Sequence, residues 1–186
     1  PRPTSRPSLR LWISTMHDRV ERTFHTYRFP YGEVMPSLDE LARYLHMEED
    51  TEHPAYSYMK ERLAELTSSD LEAVGGYAIG SIEGLDLQGG TLTVEGTTFE
   101  VGAQVCGYLK EATEAALFLC TAGPLFSDEA HALNAQGEFL EAYIIDAIGS
   151  LTVERAMDKI HKALEVEQER LLELLILQLA QEARRG

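Results

Sequence analysis

Hydrophobic positions recur every third or fourth residue over most of the chain, and a central block breaks that rhythm. Across LWISTMHDRVERTF, Trp12, Met16, Val20 and Phe24 return every fourth residue, a spacing that predicts a helix. The overlapping stretch FHTYRF alternates and predicts a strand. In PSLDELARYLHM, Leu38, Leu41, Tyr44 and Leu45 share one helical face, and Ser37 followed by Glu40 supplies a capping box at its start. HPAYSYMKERLAEL predicts another helix, opened by Pro54 and closed by the polar run TSSD.

The central block, GGYAIGSIEGLDLQGGTLTVEGTTFEVG, replaces helical spacing with glycine pairs and short alternating runs. Leu92 and Val94 precede Glu95-Gly96, and Phe99 and Val101 follow it, which predicts hairpins of an antiparallel sheet. Gly75, Gly76 and Gly80 read as turn glycines. AQVCGYLKEAT returns to helical spacing, and the continuous apolar run of AALFLCTAGP predicts a strand buried on both faces. Two helical stretches complete the chain, SDEAHALNAQGEFLEAYIIDAIG and SLTVERAMDKIHKALEVEQERLLELLILQLAQEARR. Strands grouped together between groups of helices indicate an α+β fold, and no internal repeat is visible.

A length of 186 residues with 44% hydrophobic content suits one main domain with extensions. The formal net charge of -15 gives most of the surface a field that repels phosphate backbones and anionic lipid, so nucleic acid is excluded as an expected partner. The opening PRPTSRPSLR, with Arg2, Arg6 and Arg10 among Pro and Ser, is the basic exception and reads as a flexible arm. Cys106 and Cys120 sit in apolar surroundings without CxxC spacing, as buried thiols in a reducing compartment do. The densest apolar run, LLELLILQLA, contains Glu173 and Gln178 and is about half the roughly 20 residues a membrane span needs. The expected setting is cytoplasmic.

Familiar chemistry is sparse. The histidines show no HExxH or paired spacing, so no metal site is expected. No GxSxG elbow occurs, neither cysteine has a sequence-near base, and phosphate-cradling glycine loops are absent, so no catalytic residue is assigned. Two features remain. On SLTVERAMDKIHKALE, Val153, Met157, Ile160 and Leu164 form the expected buried stripe, beside a polar face of Glu154, Asp158, His161 and Glu165. That face reads either as solvated surface or as part of a site. The second feature is Thr121-Ala122-Gly123-Pro124, which reads either as a strand-ending turn or as the floor of a cleft where Gly123 lets a ligand approach the main chain.

Four segments together carry a resemblance: GGYAIGSIEG, TLTVEGTTFEVG, AALFLCTAGPLFSDEAHALNAQGEFLEAYIIDAIGS and VERAMDKIHKAL. In this order they resemble the activation domain of cobalamin-dependent methionine synthase, and especially its short stand-alone activation-domain-like relatives. The similarity runs from about Tyr27 to about Leu164 and is most specific from Ala115 to Ser150. It implies a twisted antiparallel sheet with flanking helices and a site for S-adenosylmethionine, the methyl donor for a cobalamin held by a corrinoid or methyltransferase partner. It also implies a division into an arm and helix (1–26), an activation-domain-like domain (27–165) and a C-terminal helical extension (166–186). ERAMDKIH matches the family's E-A-x-A-E-x-L-H pattern, which makes Glu154 the implied ligand contact, with Asp158 and His161 at the matching later positions and Gly123 in the signature segment beside the cleft.

The chain departs from the family after His161. The family's later Pro-Gly-Tyr ligand loop has no counterpart in KALEVEQERLLELLILQLAQEARRG, where residues 171 to 179 are apolar nearly all round. The alternative reading is therefore a scaffold or regulatory module that kept the fold, lost the ligand and forms homo-oligomers through this helix. In neither reading is the chain a self-contained enzyme.

Overall fold

A computed structural model describes residues 24–47 and 52–183. The basic arm and the helix expected from Trp12, Met16 and Val20 lie outside the described residues. The elements in order are β1 (His25–Pro30), α1 (Tyr31–Val34), α2 (Leu38–Tyr44), α3 (Pro54–Thr67), β2 (Glu72–Asp86), β3 (Thr91–Val94), β4 (Thr97–Glu100), α4 (Ala103–Leu109), β5 (Glu114–Thr121), α5 (Leu125–Gln136) and α6 (Phe139–Ala183). The strands form one sheet in the order β1-β2-β3-β4, with β5 also paired to β2. Both β2–β3 and β3–β4 are antiparallel. The fold is α+β, an antiparallel sheet with flanking helices, as the grouping of patterns predicts. The chain forms two compact units: one of 76–119 with the strand start at 24–26, the other of 27–75 and the chain from 120 onward.

In the first unit the hairpin forms where the sequence places it. Glu95 and Gly96 both have positive φ, 47° and 73°, the backbone of a two-residue turn whose twist matches that of the strands it joins. Leu92 pairs with Phe99 across that hairpin, and Leu92, Val94 and Ala115 are the buried centre against which Ile82 and Phe99 pack. Gly75, Gly76 and Gly80 are not turn residues; all three lie within β2. At Gly76 and Gly80 the reason is close approach: a Cβ on Gly76 would stand 2.1 Å from the His25 carbonyl oxygen, and one on Gly80 would stand 2.6 Å from Val94 Cγ1. The run in β5 is not buried throughout: Ala115 is buried, while Leu119, on the same face of the strand, is 70% exposed.

The second unit holds the larger core, centred on Tyr31, Val34, Leu41, Met59, Ile144, Ile145 and Ile148. Helix α2 begins with the expected capping box. The Glu40 N–H donates to Ser37 Oγ at 3.2 Å, and the Ser37 N–H donates to Glu40 Oε2 at 3.0 Å. Its buried residues are Leu41 and Ala42, while Tyr44 is exposed. Hydrogen bonds from Ser37, helped by Arg155, hold the Glu40 carboxyl below its ordinary 4.5. A lowered folded value means that Glu40 stabilises the fold fully above the ordinary carboxylate range and loses that contribution as pH falls through its folded value. Ser37→Ala is expected to cost about 1 kcal/mol at neutral pH and to shrink this acid-labile part. Urea denaturation of both proteins on either side of pH 4.5 measures it, and an equal cost at both pH values would contradict the account.

Helix boundaries near the C-terminus differ from the pattern. The break falls at Gly137, where φ is +85° and the Gly137 and Glu138 N–H groups donate back to Asn134 and Leu133, a left-handed helix end that glycine tolerates. Gly149 and Ser150, expected to separate two helices, lie inside α6. Further along, the deeply buried positions are Thr152, Ala156 and Ile160, whereas Val153, Met157 and Leu164 are half-buried. Small side chains let the helix sit close to its neighbours, and the Thr152 hydroxyl is satisfied within the helix by the Ile148 carbonyl at 2.7 Å.

Candidate functional site

The site is built where β5 ends. Ala122 is buried, and its carbonyl accepts the hydroxyl of buried Tyr31. The Gly123 N–H donates to Thr121 Oγ1 at 3.0 Å, and Gly123 has φ +80°, a backbone that favours glycine. The Pro124 carbonyl then accepts the Asp128 N–H at 2.9 Å and starts α5. Thr121 to Pro124 thus forms an anchored corner.

Tyr31 supports that corner from below, with its ring 5.6 Å from that of Phe126. Burial raises the phenol above its ordinary 10.0, so it remains a donor at neutral pH. Tyr31→Phe leaves the buried Ala122 carbonyl without this donor. The expected cost is about 1–2 kcal/mol, measured by chemical denaturation, and an unchanged midpoint would show that the bond is dispensable.

A cleft of about 440 Å³ opens over this corner. Its floor is Cys120 to Gly123, one wall is Phe126 and Ser127 of α5, and the other is the α6 stripe Asp146, Gly149, Ser150, Val153 and Glu154. The size falls in the range of small-ligand sites, roughly 300–1,000 Å³. The spacing explains the second wall, because Asp146, Ser150 and Glu154 are successive fourth residues and share one helical face. No lysine or arginine lines the cleft, and two carboxylates do, so its field favours a ligand with a positive centre. Burial pushes the Cys120 thiol above its ordinary 9.0, partly offset by the Thr121 backbone N–H. The group is thus a protonated thiol at neutral pH, a poor nucleophile and a half-buried apolar surface.

Gly123 and Glu154, far apart in sequence, are brought to one cleft. Asp158 and His161 follow on the exposed side of α6 and do not line it. Asp146, Ser150, Phe126 and the supporting Tyr31 escaped the sequence reading. An unbroken helix through Gly149 is the signal that places Asp146 two turns before Glu154. Among the described residues, no group of three or more His, Cys, Asp or Glu is gathered to hold a metal, and no helix is long and apolar enough to cross a membrane. No protein-family model matches the chain, and no curated protein does.

Proposed function

We propose that this chain is an activation-domain-like module of the cobalamin-dependent methionine synthase type, which binds S-adenosylmethionine in the cleft between β5, α5 and α6. The observation that carries the reading is the meeting of Gly123 and Glu154 in that cleft, since these are the positions the sequence resemblance singles out. A sulfonium and an α-ammonium group both suit a cleft with Asp146 and Glu154 and no side-chain cation. Ribose hydroxyls can donate to either carboxylate. The module supplies position rather than acid–base chemistry: it holds the methyl donor toward a cobalamin carried by a corrinoid partner, in a cytoplasmic setting, and the cobalt chemistry belongs to that partner.

Glu154→Ala tests this. Glu154 is exposed, so the variant should fold with nearly unchanged stability, while losing about 1.5–3 kcal/mol of binding from one charge-assisted hydrogen bond. Calorimetry with S-adenosylmethionine reads the loss directly, and equal affinity for both proteins would remove Glu154 from the site.

One feature favours the alternative of a scaffold that oligomerises. Helix α6 runs without interruption from Phe139 to Ala183, and Val166 on its distal half is exposed. Light scattering on the full chain and on a variant ending at residue 165 separates the readings, because the scaffold requires an oligomer that becomes a monomer.

A further inference from the structure

We propose that the outer part of the α5/α6 groove docks a basic amphipathic helix of a partner protein. Beyond Ser127 and Asp146, which also border the ligand cleft, the groove continues into a second cleft of about 340 Å³. On its α6 side stand Phe139 and Tyr143, one turn apart and 69% and 56% exposed, with exposed Leu140 next to Phe139 in sequence. His131 and Asn134 stand on the α5 side. Exposed aromatic and aliphatic side chains rimmed by polar groups mark a surface that a partner covers.

Length and charge select the partner. From Phe139 to Asp146 the outer groove follows two turns of α6, about 10 Å at 1.5 Å per residue, a stretch that receives successive side chains from one face of a helix laid in it. Between Lys110 and Arg155 the sequence has no lysine or arginine, while Asp146 lines the groove and Asp128 of α5, Glu141 of α6 and Glu138 between the two helices add further carboxylates. An acidic or phosphate-bearing partner is repelled there. A helix with Leu-type residues on one face and Lys or Arg at its edges satisfies both the aromatics and the carboxylates, and a cation can also sit over the Phe139 or Tyr143 ring. This inference stands apart from the S-adenosylmethionine reading, because Phe139 and Tyr143 do not line that cleft.

The probe is a fluorescein-labelled amphipathic helix of leucine and lysine, about five turns long, followed by anisotropy at physiological ionic strength. Two controls accompany it: the same helix with glutamate for lysine, and a leucine–lysine peptide of equal composition without an apolar face. The amphipathic basic helix should bind at least about tenfold more tightly than either control, and the double variant Phe139→Ser, Tyr143→Ser should weaken it by about tenfold or more. Asp146→Asn should weaken it severalfold, and Glu100→Gln in the other unit should leave it unchanged. The double variant should keep the parent circular dichroism, since both side chains are over half exposed, and its affinity for S-adenosylmethionine should be that of the parent. Absence of binding, equal binding of the peptide without an apolar face, or indifference to the double variant overturns the proposal. So does a full-chain dimer that the double variant converts to monomer, which would make a second copy the occupant.

Discussion

Gly149→Val is expected to be among the most damaging single substitutions in the α5/α6 pair. A Cβ at 149 would stand 2.8 Å from both Cβ and Cγ of Phe126. These atoms lie close to the α5 backbone, so swinging a ring aside does not relieve the clash, and the two helices must separate. Helix propensity acts the other way, since glycine in a helix interior is about 0.8–1.0 kcal/mol worse than alanine. Overpacking a tight core costs about 1–3 kcal/mol and sometimes more, so Gly149→Ala should lose about 1 kcal/mol net and the bulkier Gly149→Val about 3 kcal/mol. For a chain of this size that is a fall in melting temperature of roughly 6–12 °C, readable by calorimetry. A valine variant as stable as the parent would mean that propensity outweighs packing at this contact. Because Phe126 and Gly149 both line the cleft proposed to hold S-adenosylmethionine, that proposal also predicts weaker binding by the variant.

The second large effect concerns Arg62. Its guanidinium is paired with Glu129 of α5 and, at 2.5 Å, with Glu65. The side chains of Arg62 and Glu129 are only 16% and 25% exposed, and Arg62 Nε is buried without a partner. Burial alone lowers the guanidinium's proton affinity, but the bonds to Glu129 and Glu65 outweigh it and raise that affinity above its ordinary level. Glu129→Gln leaves a mostly buried cation with only the exposed Glu65. Breaking a buried pair costs about 3–5 kcal/mol; the remaining partner and partial exposure reduce this to about 2 kcal/mol. Arg62→Met removes the charge along with its need for a partner and should cost less, about 1 kcal/mol. Denaturation of both single variants and the double variant checks the order, and the double should cost less than the sum. The reverse order, with Arg62→Met the more harmful, would contradict the account.

How much of this was legible in the sequence depended on whether the signal was local. The Ser37–Glu40 box, Pro54 at a helix start and the Glu95-Gly96 turn involve residues a few positions apart, and each forms where its pattern places it. The placements that failed depend on neighbours distant in sequence. Gly76, Gly80 and Gly149 mark contacts with His25, Val94 and Phe126, and glycine spacing alone cannot distinguish close approach from a turn. The buried stripe of α6 is Thr152, Ala156 and Ile160; a reading by hydrophobicity finds Ile160 but passes over the smaller Thr152 and Ala156 for Val153 and Met157. At the site, the corner at Gly123 and the carboxylate of Glu154 were each visible alone. Their meeting, and the addition of Asp146 and Tyr31, required the fold.

The most direct test of the proposed function is a titration of S-adenosylmethionine into the labelled full chain, followed through its backbone amide resonances. The account predicts saturable shifts concentrated at Thr121 to Ser127 and Asp146 to Glu154, with micromolar affinity worth about -8 kcal/mol. Shifts centred elsewhere, or none with ligand at millimolar concentration, about -4 kcal/mol, would contradict it.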